Sequence, residues 1–294
     1  MEKKIVIIMV CLMFISPTSS MAKPDVTARN AILINQENGE VLYEKAAHDQ
    51  HLIASITKIM TAIIAIESGK LDEEVTISHE AAYTEGSSIY LKEGEKVKLR
   101  DLVYGLILRS GNDAATAIAE HVGGSVEGFA YLMNEKAAWL GMNESHFDNP
   151  HGLDSETHYS SAYDMAVLTK YAMNNDTFVE ITGAKSYHSE KRKYAWGNKN
   201  KLLTQYYPYT IGGKTGYTKA AGRTLVSIAK KDNTTLIVVT LQDPDDWKDH
   251  IRLYNWGFDH YAKTSSNQSV HTLHEGESYQ YTFRSIIQQL MGVL

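Results

Sequence analysis

Two apolar, β-branched runs near the C-terminal end, Arg223 to Ala229 and Thr235 to Leu241, constrain this chain more than any other feature. Lys230-Lys231-Asp232-Asn233-Thr234 separates them, so they read as a hairpin. A second hairpin stands at the opposite end, Ala31 to Ile34 and Glu40 to Glu44, joined through Asn35-Gln36-Glu37-Asn38-Gly39 with its Asn-Gly turn signal. The stretch between them is helical in period. Ser55 to Glu67 carries Ile56, Ile59, Met60, Ile63 and Ile64 on one stripe and stops at Gly69. Further helices are predicted over Leu99 to Leu108 and Asn112 to Val122, broken at Arg109-Ser110-Gly111, then over Val126 to Leu140, Ser160 to Met173 and Arg252 to Tyr261. Strands at both ends with helices between them predict one α+β domain whose sheet is built by the two termini.

The chain has 294 residues, 43% hydrophobic and 22% charged, enough for one large domain with a sizeable core plus a tail. Its formal net charge of -6 offers no basic surface to a nucleic acid. At the start, Lys3 and Lys4 precede an apolar run from Ile5 to Ile15, then Ser16-Pro17 and the small-residue stretch Ser20-Met21-Ala22. This reads as a signal peptide over residues 1–22, cleaved after Ala22, and predicts export to the outer face of the cytoplasmic membrane. The alternative, an uncleaved membrane anchor, calls for a longer apolar span. The single cysteine, Cys11, lies inside that run. The mature protein then has no thiol for catalysis, a disulfide or a zinc-thiolate site, and no metal or cofactor is implied. The folded domain is expected over 23–262, with a linker and short tail over 263–294 beginning at the polar Lys263-Thr264-Ser265-Ser266-Asn267. Within the tail, Phe283, Ile286, Ile287, Leu290 and Met291 form a helical stripe that packs on its own domain or makes a peripheral membrane contact.

Three short patterns carry the chemistry: Ser55-x-x-Lys58, Ser110-x-Asn112 and Lys214-Thr215-Gly216. Together they are the signature of penicillin-binding proteins and class A β-lactamases. Ser-x-x-Lys recurs at Ser20/Lys23 and Ser227/Lys230, and Ser-x-Asn at Ser265/Asn267. Of the serine-lysine pairs, only Ser55 and Lys58 stand at a helix start, where an offset of three puts both side chains on one face. In the strand around Ser227 the same offset separates them. A serine hydroxyl needs a base to become a nucleophile. A lysine serves once burial or a second cation favours its neutral amine. Lys58 is set in an apolar helix, and Lys214 is the candidate second cation. The Ser55 N–H at a helix start and the Tyr217 N–H are the expected oxyanion donors. Gly213 and Gly216 are expected to let substrate backbone approach the strand. Ser110 is the expected proton relay to the leaving amine, and Asn112 the partner of the peptide amide.

Each pattern also has an ordinary structural reading: Ser55 as a helix N-cap, Lys58 as a surface lysine whose stem lies on apolar neighbours, Ser110-Gly111-Asn112 as a helix break, and Lys214-Thr215-Gly216 as a turn. His151, His158, His188, His250 and His260 form no metal-ligand pair at helical spacing. Asp245, Asp246 and Asp249 read as a solvated turn and helix cap, and Tyr206, Tyr207 and Tyr209 as cleft wall or packing.

At these residues the sequence resembles the penicillin-binding D-alanyl-D-alanine carboxypeptidases over roughly Val26 to Tyr261. The likeness extends to Ala54-Ser55-Ile56-Thr57-Lys58-Ile59-Met60-Thr61, Asn149-Pro150-His151-Gly152-Leu153, Ser160-Ser161-Ala162-Tyr163-Asp164-Met165-Ala166 and Gly213-Lys214-Thr215-Gly216-Tyr217-Thr218. Asp245-Asp246-Trp247-x-Asp249-His250 resembles the branch of spore-forming Gram-positive bacteria. The resemblance implies the β-lactamase/transpeptidase-like fold of penicilloyl-serine transferases, with a five-stranded antiparallel sheet, flanking helices and a mainly helical lobe. It implies release of the terminal D-alanine from peptidoglycan stems ending in D-Ala-D-Ala and covalent capture by β-lactams. Carried over by motif, Ser55 is the nucleophile, Lys58 the base, and Ser110, Asn112, Lys214 and Thr215 complete the site. The substrate carboxylate falls to Thr215 with Lys214 or Arg223, the latter equally readable as a structural ion-pair partner. Three rivals share the trio: a D-Ala endopeptidase or transpeptidase, a class A β-lactamase, and a non-catalytic penicillin binder. The β-lactamase calls for a deacylating glutamate, and no Glu-x-x-Leu-Asn stretch follows Asn112.

Overall fold

Residues 22–265, described by a computed structural model, form three layers: one long helix, a five-stranded sheet, and a cluster of helices on the other face. The expected signal segment with Cys11, and the apolar stripe of the tail, lie outside the described residues. The N-terminal hairpin is β1 (Asn30–Asn35) and β2 (Val41–Lys45). The C-terminal strands are β7 (Thr210–Thr218), β8 (Gly222–Lys231) and β9 (Thr234–Leu241). They pair antiparallel in the order β2-β1-β9-β8-β7, so the two ends of the chain meet at β1 and β9 and β7 is left as an edge.

Between the hairpins come a 3-10 turn (Ala54–Thr57), α1 (Lys58–Glu67), the small pair β3 (Glu74–Thr76) and β4 (Lys96–Lys98) around α2 (His79–Ala82), then α3 (Leu99–Arg109), α4 (Asn112–Gly123) and α5 (Val126–Leu140). These are followed by α6 (Ala162–Ala172), α7 (Asp176–Gly183), a short pair β5 (Ser186–Tyr187) and β6 (Trp196–Gly197), and a π-type turn at Leu202–Tyr206. The long helices α3 to α6 stand where the periodicity predicts them. The short strands and α7 carry too few residues to announce a period.

Both faces of the central strands are covered, which is why their sequences run on apolar instead of alternating. Ile32, Ile34, Val226, Ile228, Ile237 and Val239 pack with the helical lobe. Ala31, Leu33, Leu225, Ala229, Leu236 and Val238 pack with Leu253, Tyr254 and Phe258 of α8 (Asp246–Ser265). That helix starts earlier and ends later than the expected Arg252 to Tyr261, continuing past Lys263. Asp246 and Asp249 in its first turn favour the positive end of the helix dipole. They are not solvated, as the sequence suggested: Asp246, Asp249 and His250 are buried. Asp249 accepts from Thr27 N and Ala28 N, and His250 bridges Ser227 of β8 and Thr240 of β9. Tyr206, Tyr207 and Tyr209 pack against Trp247, Tyr254 and Phe258 of the same helix.

α1 threads the middle of the lobe. Its residues from Lys58 to Ile66 are all buried, so the helix is covered on every side and not along one stripe alone. At its far end Lys136 of α5 donates to Glu67 at 2.6 Å and to Tyr171 of α6 at 3.1 Å, and the Tyr171 hydroxyl donates to the other Glu67 oxygen. Burial lowers the Lys136 ammonium to about 8 against the opposing pull of Glu67. Three helices thus meet at one partly buried carboxylate. Lys136→Ala leaves that carboxylate with Tyr171 and some solvent, and urea denaturation is expected to show a loss of about 3 kcal/mol, the low end of the cost of breaking one side of a buried ion pair. Lys136→Met with Glu67→Leu is expected to recover most of it.

Candidate active site

The site forms where the 3-10 turn before α1, the α3–α4 break and the edge strand β7 come together. Ser55 sits within the turn, one residue before the buried Ile56-Thr57-Lys58 stretch. It does not cap α1: the cap position is Thr57, and no side chain accepts there. The offset of three does bring the expected pair together, with Lys58 Nζ 3.0 Å from Ser55 Oγ. Lys58 is no surface lysine; its exposure is 0%.

Two further atoms decide what that amine is. Lys58 Nζ donates to Asn112 Oδ1 at 2.8 Å and to the His151 carbonyl oxygen at 2.5 Å. The orientation of the Asn112 amide is itself fixed, because its Nδ2 donates to the Glu85 carbonyl at 2.7 Å. A neutral amine has two N–H donors and one lone pair. Three oxygens surround Nζ, enough for the three donors of an ammonium; in the neutral form Asn112 and His151 take both N–H groups and the lone pair turns to the Ser55 hydroxyl. Burial and the charges of Lys214 and Lys199 hold Lys58 well below the usual lysine range, with only Asp113 opposing them.

Lys214, at 2% exposure, donates to Ser110 Oγ at 3.1 Å and to the Thr215 carbonyl at 2.5 Å. Burial first, then Lys199, lowers it to about 7. Ser110 ends α3 in the left-handed region at φ 64°, a conformation that costs a serine energy and turns its hydroxyl out of the helix line. Asn112 follows as the first residue of α4, with Gly111 making the bend.

β7 lies against the nucleophile turn. A Cβ on Gly216 would stand 2.9 Å from Ser55 N and 2.3 Å from Thr224 Oγ1, so only glycine lets the strand come this close. Thr224 of β8 donates to the Ile53 carbonyl at 2.9 Å, fastening the turn to the sheet. Gly213 serves differently from the expectation. Its missing side chain makes room for the Val226 carbonyl of β8, 2.3 Å from where a Cβ would stand, and not for substrate. Tyr217 follows on the open edge, 65% exposed. Arg223, its register partner, is 51% exposed and pairs with Asp246 at 3.6 Å, so its charge is partly neutralised on the side of α8.

Three other contributors were not foreseen from the sequence. Lys199, between β6 and β7, places a largely exposed cation close enough to depress both Lys58 and Lys214. Asp113 is buried at the start of α4 and accepts from Ile89 N, Leu91 N and Ser88 Oγ, holding the 85–91 segment over Asn112. Its position directly after Ser110-Gly111-Asn112 was the available signal. His158 accepts at Nδ1 from Asp148 N and meets Thr57 Oγ1 through Nε2 at 2.8 Å, while Thr57 Oγ1 donates to the Ala54 carbonyl at 2.8 Å. A histidine that accepts at Nδ1 carries its proton on Nε2, and burial keeps it neutral, lowering it to about 4. This chain of bonds props Ala54, which holds φ 49° immediately before Ser55.

Known proteins resemble this chain over most of its length. A family profile described as D-alanyl-D-alanine carboxypeptidase matches residues 17–245. The D-alanyl-D-alanine carboxypeptidase DacF of Bacillus subtilis is 40% identical over 220 residues, 72% of this chain and 56% of the relative. DacB2 of Mycobacterium tuberculosis is 34% identical over 83% of this chain and 87% of its own length. Among solved structures, a D-alanyl-D-alanine carboxypeptidase from Mycobacterium tuberculosis superposes with a TM-score of 0.77 at 33% identity, over 83% of this chain and 95% of that one. A point mutant of the Streptomyces K15 DD-transpeptidase gives 0.78 at 33% identity, over 81% and 100%. The alignment therefore leaves nearly half of the Bacillus relative unmatched and spans most of the Mycobacterium proteins.

Thr57→Val tests the prop. It leaves the His158 Nε2–H and the Ala54 carbonyl without their partner, and is expected to cost about 2 kcal/mol in thermal or urea unfolding. Penicillin acylation of Ser55, followed by stopped-flow fluorescence, is expected to slow about tenfold. Thr57→Ser, which keeps the hydroxyl, is expected to restore both.

Proposed function

The chain belongs to the D-alanyl-D-alanine carboxypeptidase family of serine peptidases, and from that membership we propose that it removes the terminal D-alanine from peptidoglycan stem peptides through an ester on Ser55. The observation that supports this most is the setting of Lys58: shut from water, its amine lies 3.0 Å from Ser55 Oγ, with the Asn112 amide oxygen and the His151 carbonyl as its other partners.

Each step uses a placed group. The substrate backbone lies along the open edge of β7, the usual way an extended peptide binds a sheet edge, with Asn112 on its amide. Lys214 and Thr215, with Lys199 nearby, meet the terminal carboxylate; Arg223, held by Asp246, is the weaker candidate. Lys58 takes the Ser55 proton as Oγ bonds the D-alanyl carbonyl carbon. The resulting oxyanion is held by the Ser55 and Tyr217 N–H groups. The C–N bond breaks as the amine receives a proton through Ser110, which Lys214 orients. Water then hydrolyses the ester, with Lys58 again as base, and frees Ser55. A β-lactam follows the same path to a long-lived ester, since its leaving amine stays tethered. Transfer to an amine in place of water is the second reading, favoured by the close likeness to a protein named as a DD-transpeptidase. The substrate lies outside the cytoplasm, and the basic start and short apolar run before Ala22 support export. Among the described residues, no helix is long and apolar enough to cross a membrane.

Mass spectrometry after penicillin treatment is expected to show one adduct, on the peptide containing Ser55, absent from Ser55→Ala. The pH profile follows from the two lysines. A depressed lysine is neutral above its own pKa and charged below it, so kcat/KM falls on the acid side as Lys58 takes a proton. Lys214 works as a cation, so kcat/KM also falls on the alkaline side, above about 7. A bound carboxylate favours its charged form, so the alkaline limb of kcat is expected at higher pH than that of kcat/KM. Profiles with a D-Ala-D-Ala tripeptide read both limbs; an alkaline limb unmoved by Lys214→Arg removes Lys214 from this role.

A further inference from the structure

Beside the catalytic cleft lies an open groove with a volume near 650 Å³, walled by the 86–90 segment, by Arg109 and by the β5–β6 region from Arg192 to Lys199. Four cations line it, Arg109, Arg192, Lys193 and Lys199, and no acid does, on a chain whose formal net charge is -6. Arg192 is paired with Glu95, outside the lining. Arg109 donates to the Gly197 carbonyl at 3.2 Å, Lys199 reaches Ser87 Oγ at 3.4 Å, and Lys193 lies 5.2 Å from the Tyr194 ring. Among the described residues, no carboxylate pairs with any of these three. Partial desolvation, then the charge of Arg109, lowers the Lys199 ammonium, so two like charges stand close enough to repel. An anion between them relieves that cost.

Two tyrosines rim the groove, Tyr90 at 83% and Tyr194 at 72% exposure. Tyr90 is held in the left-handed region, φ 62°, between the Ile89 and Leu91 N–H groups that Asp113 fixes. The opposite wall is fastened as well: the Tyr187 and Ser189 hydroxyls both donate to Asp101 of α3, and Lys191 donates to Glu74 of β3. Ser55, Lys58, Lys214 and the β7 edge are absent from the lining, so the groove can be filled while the cleft holds substrate.

These features define a ligand. Cations on both walls of an open trough suit several negative charges in a row better than a single one. Exposed ring faces suit an uncharged, C–H-rich stretch between those charges. A concave trough admits a chain and not a flat membrane. A phosphodiester has two free oxygens that match the guanidinium fork. We propose that the groove is a docking site for a linear polyol-phosphate polymer, which holds the enzyme beside its substrate without entering the cleft. The choice of polymer rests on the reading above that the enzyme acts outside the cytoplasm, which sets nucleic acids aside; binding of a polyanion does not.

The test titrates fluorescein-tagged poly(glycerol phosphate) with the purified protein and follows anisotropy, beside poly-glutamate, single-stranded DNA, a neutral glycan and phosphatidylglycerol vesicles. Poly(glycerol phosphate) is expected to bind best, with an affinity that falls about tenfold between about 50 and about 200 mM salt as counterions are released. Lys193→Glu with Tyr194→Ser, both exposed on the β5–β6 turn, is expected to weaken binding about tenfold again. Lys230→Glu, the same charge change on the far side of β8, is expected to leave it unchanged. Both variants are expected to keep penicillin labelling and D-alanine release. No binding, binding indifferent to salt or to the groove substitutions, an equal loss in Lys230→Glu, or binding as tight to any of the other four probes overturns the inference. Failure of penicillin to label Ser55 in the unaltered protein overturns the serine-ester reading instead.

Discussion

A lysine amine shut away from water holds this structure to its purpose. Lys58 is wholly buried in the central helix, where a charged ammonium is costly. The surroundings resolve that cost by favouring the neutral form and using both of its N–H groups. One goes to a side-chain amide, the other to a backbone carbonyl. Everything near Ser55 follows from keeping that amine dry and aimed. Glu85 fixes the face Asn112 presents, and Asp113 fixes the segment that carries Glu85 over the site. Lys214 and Lys199 add positive charge from two directions. The apolar packing around α1 is thus part of the chemistry, because it sets the dielectric in which the base works.

The α+β arrangement supplies the rest. The helical lobe contributes Ser55, Lys58 and the Ser110 break, and the sheet contributes β7, with Lys214 reaching across to Ser110. A sheet covered on both faces is stiff, and only its edge is free to receive a peptide. α8 therefore acts at a distance: by burying Leu225, Ala229 and Val238 from behind, it holds β8, and through β8 the edge strand β7.

Much of this could be read in the sequence, for identifiable reasons. The β-branched runs and the long apolar periods survive translation into structure because burial on a regular element leaves a repeating trace. Ser55 with Lys58, and Ser110 with Asn112, are legible because local spacing decides which side chains share a face. What escaped was carried by groups without a residue signature. The carbonyls of His151 and Glu85 are backbone atoms that any residue offers. Lys199 stands alone in an irregular segment, so nothing local ties it to two lysines elsewhere in the chain. Arg223 had two readings, a carboxylate partner or a structural ion pair; it lies 3.6 Å from Asp246 and stays half-exposed. Tyr206, Tyr207 and Tyr209 left two readings open, since aromatic residues suit a cleft and a core equally well, and they pack on α8.

The pairing of β1 with β9 carries a consequence for how the molecule comes into being. The first strand made must wait for the last, across about two hundred residues of intervening chain, before its free edge is closed. Contacts so remote in sequence form late and slowly. The turn bearing Ser55 is fastened by Thr224 and abutted by Gly216, both from that late-arriving end. Until synthesis is complete and the two ends have met, the nascent chain holds a serine with no finished pocket around it. The enzyme is inert during its own manufacture by topology alone.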